Sequence, residues 1–169
     1  MSTTLEFSRR LPWAAVGPEG RHQTLRATPA ECEALAARFG IPAIHRFEVE
    51  LDMKTEAGGV VRARGRLSAE VVQSCVVTLE PVTQTIEEAV DLRFLPEGRE
   101  PADDPDGPDE IPSEREGMEL GEALAEQLSL GLDPYPRAPG ATLPLETEAE
   151  EEAEPPPRNP FAVLKGGKS

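Results

Sequence analysis

The stretch FEVELDMKTEAGGVVRARGRL, residues 47–67, alternates apolar and charged side chains on both sides of a glycine-containing segment. Alternation with a period of two is typical of a β-strand with one buried and one solvated face. With residues 55–59 as the connecting loop, the two halves form an antiparallel hairpin. Its predicted charged pairs are Glu48 with Arg66, Glu50 with Arg64 and Asp52 with Arg62, and its apolar pairs are Phe47 with Leu67, Leu51 with Ala63 and Met53 with Val61. Hydrophobic period and charge complementarity therefore favour the same register.

The three arginines of this hairpin, Arg62, Arg64 and Arg66, are candidate binding residues. Guanidinium groups along one face of a strand resemble an RNA-phosphate contact. In the predicted register, however, each arginine faces an acid, which is typical of a solvated sheet face. We favour this structural interpretation. Direct RNA binding through these arginines, aided by Arg9, Arg10 and Arg21, is the alternative.

A helix is predicted to begin after Thr28. Thr28 can cap it, Pro29 suits the first helical position, Glu31 completes a capping box and Gly40 suits its end. Before it, the alternation of Leu5 and Phe7 predicts a short first strand.

The second half of the domain predicts a longer sheet and a second helix. The hairpin strand continues to Gln73, and a turn is expected at residues 79–81. A further strand covers residues 86–94, where Glu88 points to the apolar face and indicates a bulge or an edge. An amphipathic helix follows on Leu120, Ala123, Leu124 and Leu128. Tyr135 is expected in an irregular segment that closes over the core.

Charge divides the chain into two parts. Residues 1–96 carry 13 acidic and 11 basic side chains, whereas residues 97–169 carry 19 and 6. Acidic, proline-containing segments bury too little apolar surface to become ordered. The sequence therefore predicts one domain over residues 1–145 with a mobile acidic loop at 97–117, a disordered acidic proline-rich linker at 146–157, and a C-terminal segment at 158–169.

Composition excludes several classes of protein. A net charge of −15 argues against retention on nucleic acid by bulk charge. Five Phe, one Trp and one Tyr are too few for a row of base-stacking platforms. The sequence has no apolar run of about 18 residues and no visible secretory signal. Two cysteines predict no disulfide framework. We expect a soluble, cytoplasmic, monomeric protein.

No catalytic constellation, metal site or cofactor is predicted. His22 lies in a predicted loop and His45 just before a strand, so neither is placed next to Cys75 by sequence. Cys75 has the spacing of a metal-binding C-x-x-C half-site, but Thr78 supplies no thiolate. A thiol-dependent enzyme is a further alternative, although a lone cysteine is usually a small buried side chain.

The C-terminal segment NPFAVLK, residues 159–165, contains the other candidate binding residues. Asn159, Pro160, Phe161 and Leu164 lie in a compact apolar cluster that is bracketed by bases. One interpretation is a tail strand or turn that folds back on the domain. The other is a short recognition segment that orders on a partner. The residues alone favour neither.

The stretch GRLSAEVVQSCVVTLEPV, residues 65–82, resembles the central motif of the bacterial YceD family, the large ribosomal RNA subunit accumulation proteins. The motif positions are Gly65, Gln73, Cys75, Leu79, Glu80 and Pro81. Asp109-Glu110, Met118-Glu119-Leu120 and the terminal NPFAVLK agree with the same family. The single cysteine after Val-Val-Gln is similar to the alphaproteobacterial branch. Because many relatives carry a second cysteine where Thr78 stands, a metal or redox role of the motif is not carried over.

The resemblance implies a role in the synthesis, processing or stability of large-subunit ribosomal RNA, and it supplies no catalytic residues. Because the chain is strongly acidic, its direct partner is expected to be a basic ribosomal or rRNA-processing protein. Ribosomal RNA itself is the alternative partner. The predicted fold class is α+β, with a mainly antiparallel sheet that is curved or partly barrel-like and two principal helices.

Overall fold

The computed structural model describes residues 4–140, and residues 1–3 and 141–169 lie outside this description. Its elements are β1 (Arg10–Leu11), β2 (Arg21–Arg26), α1 (Pro29–Phe39), β3 (Ala43–Thr55), β4 (Val61–Ser74), β5 (Pro81–Leu95), β6 (Asp109–Pro112), β7 (Met118–Glu119) and α2 (Leu120–Gly131). The larger sheet has the order β2-β3-β4-β5-β6, and β1 pairs with β7. The α+β class is confirmed. The sheet is mostly antiparallel and is not closed into a barrel.

The α1 helix begins and ends as the sequence predicts. The Thr28 side chain accepts a hydrogen bond from the Glu31 N–H, and the Glu31 carboxylate accepts one from the Thr28 N–H. This reciprocal capping box satisfies two N–H groups that have no partner within the helix. Gly40 ends the helix in the left-handed conformation, at φ 68°. Helix α1 packs on β3 through its buried face, which includes Cys32 and Leu35.

The predicted hairpin forms, but its predicted register is wrong by two residues. Glu50 lies opposite Arg66, Asp52 opposite Arg64, and Lys54 opposite Arg62. The turn is centred one residue later than predicted, because the Glu56 N–H donates to the Val60 carbonyl at 2.6 Å. A shift of two residues keeps every side chain on its predicted face, since the side-chain period is also two.

The first strand, which the alternation of Leu5 and Phe7 predicts at these residues, lies further along the chain. Neither residue belongs to a strand, and β1 comprises Arg10–Leu11. Phe7 is buried because its ring packs on Phe47, with 5.2 Å between the ring centroids. The structure also adds β2, which the sequence did not predict and which pairs with β3.

The predicted acidic loop at 97–117 contains a strand. Its β6 segment pairs in parallel with the last four residues of β5, from Leu92 to Leu95. Glu110 anchors this segment, because its carboxylate accepts a hydrogen bond from Arg93 at 2.5 Å. The inward-facing Glu88 lies in the part of β5 that has no β6 neighbour, so the edge interpretation of Glu88 holds without a bulge.

The core lies between the inner face of the sheet and the two helices. Helix α2 forms over the predicted apolar positions and packs on β1, β4 and β5. Leu120, Leu124 and Leu128 have no exposed surface. Tyr135 does not close over this core, since it is 72% exposed. The adjacent Pro136 is buried instead.

Contacts divide the chain into two units, Met1–Ala138 and Pro139–Ser169. The elements above belong to the first unit. The predicted boundaries at 145 and 157, and the candidate residues Asn159, Pro160, Phe161 and Leu164, lie outside the described residues. The two interpretations of the C-terminal segment therefore stay predictions.

Candidate functional site

The outer face of the larger sheet carries the candidate arginines. Arg62, Arg64 and Arg66 alternate along β4 with the buried Ala63 and the tightly packed Gly65. The neighbouring strands flank them with acids and bases: Asp52 and Asp91 lie opposite Arg64, Glu50 lies opposite Arg66, and Lys54 and Arg93 lie opposite Arg62. The structure thus brings the three arginines together on one surface.

Arg62 is held by β5 and by the hairpin turn. Its guanidinium donates to both carboxylate oxygens of Asp91, at 2.9 and 2.7 Å, and lies 3.7 Å from Glu56. The hydrogen bond with Arg62 lowers the pKa of Asp91, and the same bond raises the pKa of Arg62. This pair offsets the like-charge neighbours Lys54 and Arg93. Arg62 is therefore already engaged within the domain.

Arg64 and Arg66 are more open. Arg64 lies 3.6 Å from Asp91 and has 62% of its side chain exposed. Arg66 is exposed, and within residues 4–140 it forms no ion pair. The prediction that each arginine faces an acid of β3 holds for Arg64 and Arg66, which lie opposite Asp52 and Glu50, and is wrong for Arg62, which lies opposite Lys54. Asp91 of β5 supplies the ion pair of Arg64 and the closest one of Arg62. The face is partly neutralised and is not a bare positive surface.

The family-like motif forms the end of β4 and the turn to β5. In this turn the Cys75 N–H donates to the Glu80 carbonyl at 2.8 Å, and the Leu79 N–H donates to the Cys75 carbonyl at 2.9 Å. Pro81 begins β5, as the turn prediction requires. Leu79 is the one described residue other than glycine with a positive φ, at 64°. Its side chain is nevertheless 78% exposed.

Two motif positions, together with Val76, anchor the chain that follows α2. The buried Gln73 amide donates to the Asp133 carbonyl at 2.9 Å and accepts from the Asp133 N–H at 3.3 Å. The Val76 N–H donates to the Pro136 carbonyl at 2.9 Å. The Ala138 N–H donates to the Cys75 sulfur at 3.3 Å. Gln73 and Cys75 therefore join the β4–β5 turn to residues 133–138.

Cys75 is completely buried in this arrangement. Hydrogen bonds from the side chain and N–H of Thr78 and from the N–H of Ala138 lower the pKa of its thiol to about 7. The low pKa alone does not make it a nucleophile, because a reactive thiolate must also be accessible. The structure gives Cys75 a positioning role in the turn.

The free energy of unfolding of the wild type, relative to Cys75→Ser, is expected to increase as the pH rises from 7 towards 9. Folding lowers the thiol pKa from 9.0 to about 7. The stabilisation from the thiolate is therefore fully present above the pKa of the unfolded chain, 9.0, and is lost as the pH falls through the pKa of the folded chain, about 7. Urea denaturation across this range measures the difference. Thr78→Val removes the largest cause of the shift and should flatten the trend; a difference independent of pH would contradict the assignment.

Both histidines lie on strands of the larger sheet. His22 lies in β2 instead of a loop and contacts Asp52 at 2.8 Å, and His45 lies within β3 instead of just before a strand. Within residues 4–140, no three His, Cys, Asp or Glu residues are grouped to hold a metal ion. Over the same residues, neither helix has the length and apolar character that crossing a membrane requires.

Sequence reasoning missed three residues that define this region. Asp91 neutralises Arg62, and Asp133 and Pro136 receive the hydrogen bonds of the motif. Asp91 alternates with apolar residues on β5, which predicts its outward direction but not its partner. Asp133 and Pro136 carry no local signal, since their contacts join positions about 60 residues apart.

The family comparison covers the same region. The family model described as "Large ribosomal RNA subunit accumulation protein YceD" matches residues 63–166, which is more than half of the chain. The match includes β4 from Ala63 onwards, the β4–β5 turn, β5 and α2, and it extends into the C-terminal segment. No curated protein and no solved structure matches the chain significantly. On this match the chain belongs to the YceD family of large ribosomal RNA subunit accumulation proteins, and its role is in ribosome biogenesis.

Proposed function

We propose that this protein supports the synthesis, processing or stability of large-subunit ribosomal RNA without catalysis, by binding a basic ribosomal or rRNA-processing protein. Membership of the family supports the role in rRNA accumulation. The distribution of charge supports the kind of partner. The net charge of −15 is the observation that carries this step, because it favours encounter with a cationic protein and opposes encounter with RNA phosphates.

The described surface contains acids that are available to such a partner. Residues 97–106 are all exposed. Within residues 4–140, the carboxylates of Glu100, Asp103 and Asp106 form no ion pair. Other acids of this segment already serve the domain, since Glu97 pairs with Arg115 and Glu110 with Arg93. The open carboxylates are thus concentrated between the two anchored ends of the segment.

The proposal is tested with purified full chain and cellular extract. A basic large-subunit or processing protein should co-purify at low salt and dissociate as salt rises. The variant Glu100→Gln/Asp103→Asn/Asp106→Asn should weaken this association about tenfold. The matched control Glu19→Gln/Glu33→Gln/Glu126→Gln removes the same charge from other exposed positions and should have a smaller effect.

Depletion of the protein should lower the ratio of large- to small-subunit rRNA, and an unchanged ratio would contradict the proposal.

Direct RNA binding is the second candidate, and Arg66 is the observation that favours it. Arg66 is exposed and unpaired within residues 4–140, and Arg64 beside it is largely exposed. Under this alternative, Arg64→Gln/Arg66→Gln should weaken binding to protein-free rRNA and reduce the salt slope by about 1 to 2. We expect no such change, because the surrounding acids oppose phosphate. Salt-sensitive RNA binding that depends on these two residues would reverse this order of preference.

Arg62 requires separate treatment in that experiment. Its bidentate bond with Asp91 joins β4 to β5, so we expect Arg62→Gln to lower the stability of the fold. Arg64→Gln/Arg66→Gln should leave the midpoint of urea denaturation near that of the wild type, since exposed charges with weak or no ion pairs contribute little. A variant that changes all three arginines would mix the two effects.

A thiol-dependent enzyme receives no support from the geometry. The Cys75 sulfur is buried and contacts backbone N–H groups, and no described histidine bonds to it. Cys75→Ser should therefore leave rRNA accumulation unchanged at permissive temperature. Loss of accumulation at normal protein level would favour a chemical role for the thiol.

A further inference from the structure

The β5 strand has an open edge. It spans Pro81–Leu95, but β6 covers only its last four residues. Over residues 82–90, β5 pairs with β4 on one side alone. Within the described residues, no strand pairs with the other side of this stretch and no loop hydrogen bond reaches its backbone. An exposed row of backbone donors and acceptors is a template for another strand.

The hydrogen-bond pattern shows which residues face the open edge. The Ser113 N–H donates to the Leu95 carbonyl at 2.9 Å, so Leu95 directs its backbone towards β6. On the opposite side, the Cys75 N–H donates to the Glu80 carbonyl, so even-numbered residues of β5 bond to β4. Backbone directions alternate along a strand. The residues with outward N–H and C=O groups that β6 does not reach are therefore Thr83, Thr85, Glu87 and Ala89.

The side chains along this edge restrict what can pair with it. Glu88 projects to the inner face between the buried Ile86 and Val90, yet it is exposed. Glu87 occupies the outer face next to it and is also exposed. A charge that points inward at a sheet edge disfavours pairing with an apolar strand. Pairing of this edge with the same edge of a second copy is also disfavoured when it places Glu87 and Glu88 next to Glu87 and Glu88 of that copy, because like charges repel.

We propose that the open edge of β5 binds an extended, basic segment of a partner protein by strand addition. The proposal rests on the proposed function, since it gives the same basic partner a strand-pairing contact in addition to the acids of residues 97–106. Main-chain hydrogen bonds to the four outward residues supply affinity. Lys or Arg at neighbouring positions of the added strand meets Glu87 on one face and Glu88 on the other, which supplies selectivity.

The test uses full chain labelled with ¹⁵N and a fluorescent synthetic peptide, Lys-Val-Arg-Val-Lys-Val-Lys, blocked at both ends. Fluorescence anisotropy measures affinity, and amide shifts locate the peptide. We expect the largest shifts at the amides of Thr83, Thr85, Glu87 and Ala89, with smaller shifts at even-numbered residues that bond to β4. A peptide of equal charge with Pro in place of Val cannot form the ladder and should bind at least tenfold more weakly.

Charge variants separate strand addition from general attraction. Glu87→Lys/Glu88→Lys should lower the affinity for the Val-containing peptide at least tenfold. Glu19→Lys/Glu33→Lys makes the same change in net charge and should lower this affinity by less than threefold. Thr85→Pro removes one outward donor and should also reduce affinity. Equal weakening by both double variants, or shifts spread over other faces, would overturn the proposal. Dimerisation of the chain through this edge would overturn the choice of occupant.

The peptide measurement also distinguishes this inference from the proposed function. If depletion lowers large-subunit rRNA and a basic partner binds, but Glu87→Lys/Glu88→Lys binds that partner normally, then only the edge proposal fails. If depletion leaves rRNA unchanged while the peptide shifts the outward amides, then the edge is a binding site and the proposed function fails.

Discussion

Replacing Gly65 by alanine is expected to lower the free energy of unfolding by about 3 kcal/mol. Gly65 lies at the centre of β4, opposite Leu51 of β3. A methyl group at Gly65 would overlap the carbonyl oxygen of Glu50 and lie 2.7 Å from its carbonyl carbon. Because these are backbone atoms of a paired strand, they cannot move aside without disturbing the ladder. Urea denaturation followed by circular dichroism measures the change.

Gly17→Ala is the matched control for this experiment. A methyl group at Gly17 has no atom within 4 Å. We therefore expect its free energy of unfolding to stay within about 0.5 kcal/mol of the wild type. A Gly65→Ala variant as stable as Gly17→Ala would show that β3 and β4 can separate locally, and the close approach would then lose its structural importance.

Replacing Phe7 by alanine is expected to cost about 3–5 kcal/mol, because it leaves a cavity in the core. Phe7 is 1% exposed and packs on Phe47. The Arg9 guanidinium lies 4.5 Å from the centroid of its ring, and Arg9 also bonds to both carboxylate oxygens of Glu31, at 2.7 and 2.8 Å. Loss of the ring therefore removes core packing and the support of an ion pair that reaches α1. Thermal and urea unfolding measure the effect.

The control for Phe7 is Leu130→Ala. Leu130 has a large apolar side chain but is 76% exposed, so its truncation should change stability by no more than about 0.5 kcal/mol. Similar losses in both variants would indicate that the N-terminal residues contribute little to the folded core. Near-native stability of Phe7→Ala would contradict the packing described here.

Strand faces could be predicted from residues 47–67, but strand register could not. The alternation assigns Val49 and Leu51 to the core and Glu50 and Asp52 to solvent, which the structure confirms. The register depends instead on the turn, where the Glu56 N–H meets the Val60 carbonyl. Registers that differ by two residues bury the same side chains, so the hydrophobic pattern does not distinguish them.

Phe7 shows why a short apolar alternation is ambiguous. Two apolar residues separated by one polar residue fit a strand, and they also fit an irregular segment that places one side chain in the core. The contact of Phe7 with Phe47 decides between these, and it joins residues far apart in the sequence. The same limit applies to β2, which has only one fully buried residue, Leu25, and so lacks a strong periodic signal.

Residue type and local spacing account for the α1 cap, the inward and outward sides of β3, β4 and β5, and the excess of acid after residue 96. The contacts of Arg62 with Asp91 and of Gln73 with Asp133, and the open edge that β6 leaves along most of β5, arise only in the folded chain. These features depend on which distant segments become neighbours. That choice follows from the balance of contacts over the whole fold, which no local pattern contains.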